Sequence, residues 1–290
     1  TAYRRQRQMC IRDRFITVLN ASITSSNQFG KPTATKTINS LKNDLYSFNN
    51  VKSVQVAYPF SASVNNKSYT FEIVPAQFNT AGYIEETNPN PLNAFNVIYK
   101  NDGKGYGSAN TGFFLYMKEG ALEYQDYNFD QPIEDRTVDI DSNNINNTDV
   151  WVQEISDTGL VQTSWKKTPA LSGQNIIYNS LALSERNIFE VKTRLNDQIT
   201  IQFSDGNFGN IPVGLYRMWY RSSELRGEEV SSADIQNKGI AFGYVNKQDQ
   251  TFDLSMTFSL NYNITNSSAR ETVDEIKLNS AQAYYTPVSY

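Results

Sequence analysis

The chain has 290 residues, 26 of them basic and 30 acidic, with 39% hydrophobic residues, one cysteine and no histidine. A chain of this length can bury a core without disulfides, and its acidic balance argues against a partner bound through a phosphate backbone. With no histidine and a single Cys10, it lacks the side chains most used as zinc ligands, thiol nucleophiles and imidazole bases, and no apolar run approaches the roughly 20 residues of a membrane-spanning helix.

The N-terminal stretch RQRQMCIRDR, Arg5 to Arg14, has no hydrophobic period and no cap. Met9 to Arg14 back-translates as ATGTGTATAAGAGACAGG, which matches a transposase mosaic end of sequencing libraries, and Val288-Ser289-Tyr290 fits the start of the same element on the opposite strand. Residues 1–14 and 287–290 are therefore read as adapter-derived and set aside from fold reasoning. The competing reading is a basic arm for nucleic acid or an anionic surface. Without five arginines and Asp13, 21 basic residues face 29 acidic ones.

Residues 15–138 read as a β-rich module with one early helix. Thr35 to Phe48 places Ile38, Leu41, Leu45 and Phe48 on one helical stripe. Val54 to Tyr58, Tyr69 to Val74 and Phe95 to Tyr99 read as short strands between Asn, Pro and Gly loops. Phe113 to Lys118 is expected to turn at Glu119-Gly120 and pair with Ala121 to Tyr127, because glycine supplies the positive φ of a tight hairpin.

The Asn-rich stretch Asp139 to Asp149 reads as a linker. It opens like a calcium loop, with Asp139, Asp141 and Asn143 at alternate positions, but has Asn144 where glycine is needed and Val150 where a bidentate glutamate belongs. A solvated linker is the favoured reading. Likewise, Asn101 to Gly112 is glycine-rich with Lys104, but a phosphate loop would have Ser or Thr after the lysine and a helix to follow; Gly105 and a strand stand there instead.

Residues 150–267 read as a second β-rich module. Val150 to Ile155 turns at Asp157-Thr158-Gly159 into Leu160 to Trp165. Ile199, Ile201 and Phe203 alternate with polar neighbours, and so do Tyr216, Met218 and Tyr220 with Leu215, Arg217 and Trp219. The two runs are read as a hairpin whose tip is the loop Ser204 to Val213. Finally, Ile240 to Val245 should pair through Asn246 to Gln250 with the alternating strand Thr251 to Ile264. Ser268 to Glu271 is a capping box opening a helix over residues 268–286, with Val273 and Ile276 inward. The whole is expected to be mainly β with a few helices, an α+β chain of antiparallel hairpins in more than one module.

The loop itself, FSDGNFGNIPVG, has Asp205-Gly206-Asn207 for a tight reversal, Gly209 and Gly214 for close backbone approach, and Pro212 to stop pairing. Its oxygens are too few for a metal. The run resembles the F-G-D-G-x-x-G-x-x-P-x-G signature of baseplate J-like proteins, wedge components of contractile phage tails. Phe203, Asp205, Gly206, Gly209, Pro212 and Gly214 match, and Ser204 replaces a glycine. Ala269 to Tyr285 is similar to the helix that follows this domain there, and Phe113 to Glu154 resembles large wedge subunits of T-even-like phages, including those of marine cyanobacteria.

That resemblance implies a structural virion protein, a fragment of a wedge subunit of the wedge-initiating type, assembled in the host cytoplasm through contacts with other wedge and hub proteins. It implies no catalytic residue, cofactor, metal, nucleic acid, membrane insertion or small-molecule substrate. Tyr216, Met218, Trp219 and Tyr220 are expected at an interface. Two alternatives stand beside it: a carbohydrate-binding or receptor-binding β-module, motivated by Trp151, Trp165, Trp219 and many tyrosines, and a glycosidase working through a carboxylate pair.

Overall fold

Where polar and apolar residues alternate, the chain forms strands, and the sheets they build account for most of its order. The computed structural model describes residues 56–78, 84–90, 112–171, 186–224, 228–245, 251–260 and 263–264, with strand segments at 14–17, 22–26, 32–37, 51–52, 94–95 and 97–98. The early strands are β1 (Arg14–Thr17), β2 (Ser22–Ser26), β3 (Pro32–Thr37), β4 (Val51–Lys52), β5 (Tyr58–Val64), β6 (Lys67–Val74), β7 (Ala76–Phe78), β8 (Ile84–Glu86), β9 (Ala94–Phe95) and β10 (Val97–Ile98). There follow β11 (Gly112–Glu119), β12 (Ala121–Phe129), β13 (Thr137–Ile140), β14 (Ile145–Ile155), β15 (Val161–Lys167), β16 (Ile188–Thr193), β17 (Ile199–Phe203), β18 (Gly214–Ser222), β19 (Lys238–Val245) and β20 (Thr251–Phe258). The chain is mainly β, and the described residues include no helix of seven or more residues.

A curled sheet of seven strands, ordered β12-β18-β14-β15-β16-β17-β13, dominates. Its concave side is filled by Phe129, Val138, Ile140, Val150, Val152, Trp165, Phe189, Ile199, Ile201, Phe203, Tyr216, Met218 and Tyr220. The curl brings distant strands together: Phe203 of β17 meets Phe129 of β12 edge-on at 5.8 Å and Trp165 of β15 at 5.3 Å. Aromatic pairs of this geometry add to what their burial contributes. A second sheet, β1-β11-β6-β5, has the β5–β6 hairpin at its edge, with Asn65 and Asn66 both at positive φ in the two-residue turn as a right-handed strand twist requires. A third sheet runs β19-β20-β2-β3.

Several sequence expectations change at this point. The expected hairpins at β14–β15 and β19–β20 are present, each with an antiparallel ladder, although β20 ends at Phe258 and Ile264 instead bridges to Val230. Strands β11 and β12 do not pair with each other. The first pairs with β1, β6 and β10, the second with β18, and the chain passes between sheets at Gly120, whose φ is +107°. A Cβ at Gly120 would run into the Ser222 carbonyl oxygen, so the glycine serves as a corner, not a hairpin turn. Nor do β17 and β18 form a hairpin: three strands stand between them in the sheet, and the Ser204–Val213 loop crosses from one part of the curl to another.

Of the strand expected over Val54 to Tyr58, residues 54 and 55 lie outside the described residues, 56 and 57 are not in a strand, and Tyr58 opens β5. Residues 35–37 of the expected early helix belong to β3, where β-branched Thr35 and Thr37 suit a strand; residues 38–50 and the helix expected over residues 268–286 lie outside the described residues. The stretch read as a linker is built into the large sheet. Asp139 and Ile140 end β13, and residues 145–149 open β14.

Candidate functional site

The glycine loop is knitted from its own atoms. Asp205 Oδ1 accepts the N–H groups of Asn207 at 2.9 Å and Phe208 at 3.2 Å, and Oδ2 accepts the Asn207 side-chain amide at 3.2 Å. This is an Asx turn, in which a short carboxylate mimics a turn of backbone. Desolvation works against ionisation of Asp205, but the N–H groups, the Asn207 amide and the Ser204 hydroxyl outweigh it and hold the carboxyl below its usual range. Buried Ser204 donates to Asp205 Oδ1 at 3.2 Å and accepts the Gly209 N–H at 2.8 Å.

Each glycine has a distinct steric reason. Gly206 sits at φ +86° and Gly214 at +105°, where a side chain is strained. At Gly209 a Cβ would lie 2.7 Å from Ile188 Cγ1 and 2.8 Å from Ser204 Cβ. Phe203 is fully buried in the core and Pro212 is buried. The six residues singled out in the sequence are thus brought together as one turn-and-crossing structure.

Its outer clamp was not visible in the sequence. Arg186 donates through Nη2 to the carbonyls of Gly206 at 2.9 Å and Asn207 at 2.8 Å, while its own carbonyl accepts the Asn210 N–H at 2.8 Å. Asn210 also reaches Asn187 Oδ1 at 2.7 Å. The contacts span about 20 residues of chain, with no motif to mark them; an arginine just before a strand was the only signal.

Beyond the loop, Tyr216, Met218, Trp219 and Tyr220 are buried by the chain itself, at 2%, 0%, 6% and 3% exposure. The first, second and fourth face the curled core, so they do not offer the interface expected of them. Burial, with Glu154 nearby, pushes the Tyr216 phenol up to about 12. Trp219 is on the other face, its indole N–H donating to Gln153 Oε1 at 2.9 Å, while Gln153 donates to the Pro89 carbonyl at 2.7 Å. Above Trp219 lies the half-exposed ring of Tyr124, 4.8 Å away, with the Arg217 guanidinium 4.2 Å from the Tyr124 centroid and bound through both Nε and Nη2 to Asp126.

The second constellation is a buried junction of charges between sheets. Arg221 of β18, fully buried, donates to Glu72 of β6, to Glu86 of β8 at 2.7 Å and to Asp149 of β14 at 3.3 Å. Lys118 of β11 lies 2.7 Å from Asp149 and 2.9 Å from Glu86. Burial alone would lower the Arg221 pKa, but Glu86, Glu72 and Asp149 reverse that and raise it. Burial raises the Glu86 pKa despite Arg221 and Lys118. Five strands from different parts of the chain meet here, and sequence spacing gives no hint of it.

The other motif candidates are also engaged. Asp141 accepts from Arg194 at 2.7 Å, Asp139 from Thr200 at 2.6 Å, and Asn143 from Gln198 at 3.1 Å, so the calcium-like oxygens are used in side-chain pairs. Of the glycine-rich stretch at 101–112, residues 101–111 lie outside the described residues and Gly112 opens β11. Lys167 donates to the carbonyl and side-chain oxygen of Asn147, and burial lowers its pKa to about 8, with Asp149 opposing.

Fold and loop together define a β-rich protein whose most conspicuous motif shapes a chain crossing within a curled sheet. The chain belongs to the family described as Domain of unknown function (DUF8360), which it matches over residues 5–263. That match begins within the N-terminal stretch set aside above as adapter-derived. No curated protein and no solved structure gave a match.

Proposed function

We propose that this chain is a structural part of a contractile-tail baseplate wedge, working in the virion through contacts with neighbouring wedge and hub proteins. One observation carries the reading: the residues of the baseplate-J-like signature are spent on architecture. Both carboxylate oxygens of Asp205 serve their own loop, and the space beside Gly209 is filled by Ile188 and Ser204. A ligand cradle would instead keep converging N–H groups or oxygens directed at an unfilled space.

The alternatives draw less support from the described residues. Of the three tryptophans behind the sugar-binding reading, Trp165 and Trp219 are buried and have no face for a sugar ring while Trp151 is partly buried, and the carboxylates of Glu72, Glu86 and Asp149 are enclosed with Arg221 and Lys118. The DNA flanking the coding segment tests the proposal. Neighbouring genes for other tail components are the expected result, and a flank without any would count heavily against it.

A further inference from the structure

Strand β12 is one of the two edges of the curled sheet and runs nine residues without a register shift. Its Leu122 N–H points away from β18, because it donates to Glu72 Oε1 at 3.0 Å. Alternation of the ladder then places the N–H groups of Tyr124, Asp126 and Asn128 on that same outer edge, where no acceptor takes them among the described residues. These three side chains are exposed. Proteins commonly blunt such an edge with proline, a bulge or charged side chains; β12 has no proline and no bulge, and its charges are Glu123 and the Arg217-paired Asp126.

The edge is also strongly signed. From Ala121 to Asp135 the chain carries Glu123, Asp126, Asp130, Glu134 and Asp135 and no lysine or arginine. Asp126 is paired with Arg217 and Arg136 stacks on Phe129, so exposed Glu123 at one end and Asp130, Glu134 and Asp135 beyond the other supply the negative charge. Beside it the half-exposed Tyr124 ring is held by Trp219 and Arg217, each fixed by its own hydrogen bonds. A rigid aromatic next to a desolvated tryptophan is the kind of anchor on which interface energy concentrates.

We infer that the outer edge of β12 is a docking ladder for an extended, cationic strand of a partner protein, which adds to the sheet along Tyr124–Asn128 and rests a side chain on Tyr124. The inference rests on the assembly reading above and names its contact surface. Main-chain hydrogen bonds would supply the register, and the acids flanking the ladder, Glu123 and Asp130, would favour a strand rich in lysine or arginine. Glu72 caps the ladder at Leu122, so the added strand ends there.

The test uses the intact chain and two acetylated, amidated heptapeptides, one alternating lysine with threonine and valine, the other with glutamate in place of lysine. Titration followed by NMR should show the cationic peptide binding, with weaker binding at higher salt, and slowed amide exchange at Tyr124, Asp126 and Asn128. Asn128→Pro removes one outward N–H at a position where an edge strand tolerates proline, and should weaken binding about tenfold with the unfolding midpoint kept. Equal binding of both peptides, or no change in exchange at those three amides, overturns the inference even if the proline variant fails to fold. A complex with tail proteins whose affinity Asn128→Pro leaves unchanged would overturn the edge inference and leave the assembly reading standing.

Discussion

Ser204 is the one position where the glycine loop departs from the pattern it resembles, and the structure gives the serine work to do. Its hydroxyl accepts the Gly209 N–H, which the close approach of Ile188 shields from water. Ser204→Ala leaves that buried N–H without a partner, and denaturant unfolding should register a loss of about 1–3 kcal/mol. A loss of only a few tenths would mean that the loop does not depend on this bond. The turn around Asp205 was legible in the sequence because Asp-Gly-Asn encodes it locally, through a short carboxylate and a residue free to take positive φ. The Arg186 clamp was not, since its partners lie 20 and 21 residues away and no local rule connects them.

At the level of strands, alternation identified where β14, β15, β17, β18, β19 and β20 run and which residues of β17 go inward. It identified the local partners β14–β15 and β19–β20 but none of the long-range ones. Both misread hairpins, β11 with β12 and β17 with β18, joined runs that are neighbours in sequence but lie in different sheets or in separated positions of one sheet. Conversely, the β5–β6 hairpin escaped notice although Tyr58, Phe60, Ala62 and Val64 alternate up to Asn65-Asn66; the asparagine pair was treated as loop where it is a tight turn.

The charged junction explains why β11 and β12 can part at Gly120. Arg221 and Lys118 tie β6, β8, β11, β14 and β18 together just where the chain changes sheet. Arg221→Met removes one cation and leaves three buried carboxylates with Lys118 alone. Urea unfolding should show a loss of about 3–5 kcal/mol, the usual consequence of orphaning buried charge, whereas near-wild-type stability would show that the junction contributes little.

Among the described residues, the chain places its apolar residues inside a curled sheet, seals its most concentrated charges between sheets, and leaves β12 as an edge of the large sheet. Mainly β character was legible from composition, because Asn, Ser, Thr and Tyr are abundant and favour half-exposed strands and turns over helix. The curl was not, because it depends on long-range pairing such as β12 with β18 and the short parallel contact of β15 with β16. The assembly proposal is tested most directly by native mass spectrometry of the chain co-expressed with the products of its flanking genes. The proposal predicts a stable heteromeric complex of fixed stoichiometry; a chain that stays folded and monomeric beside every such product would contradict it.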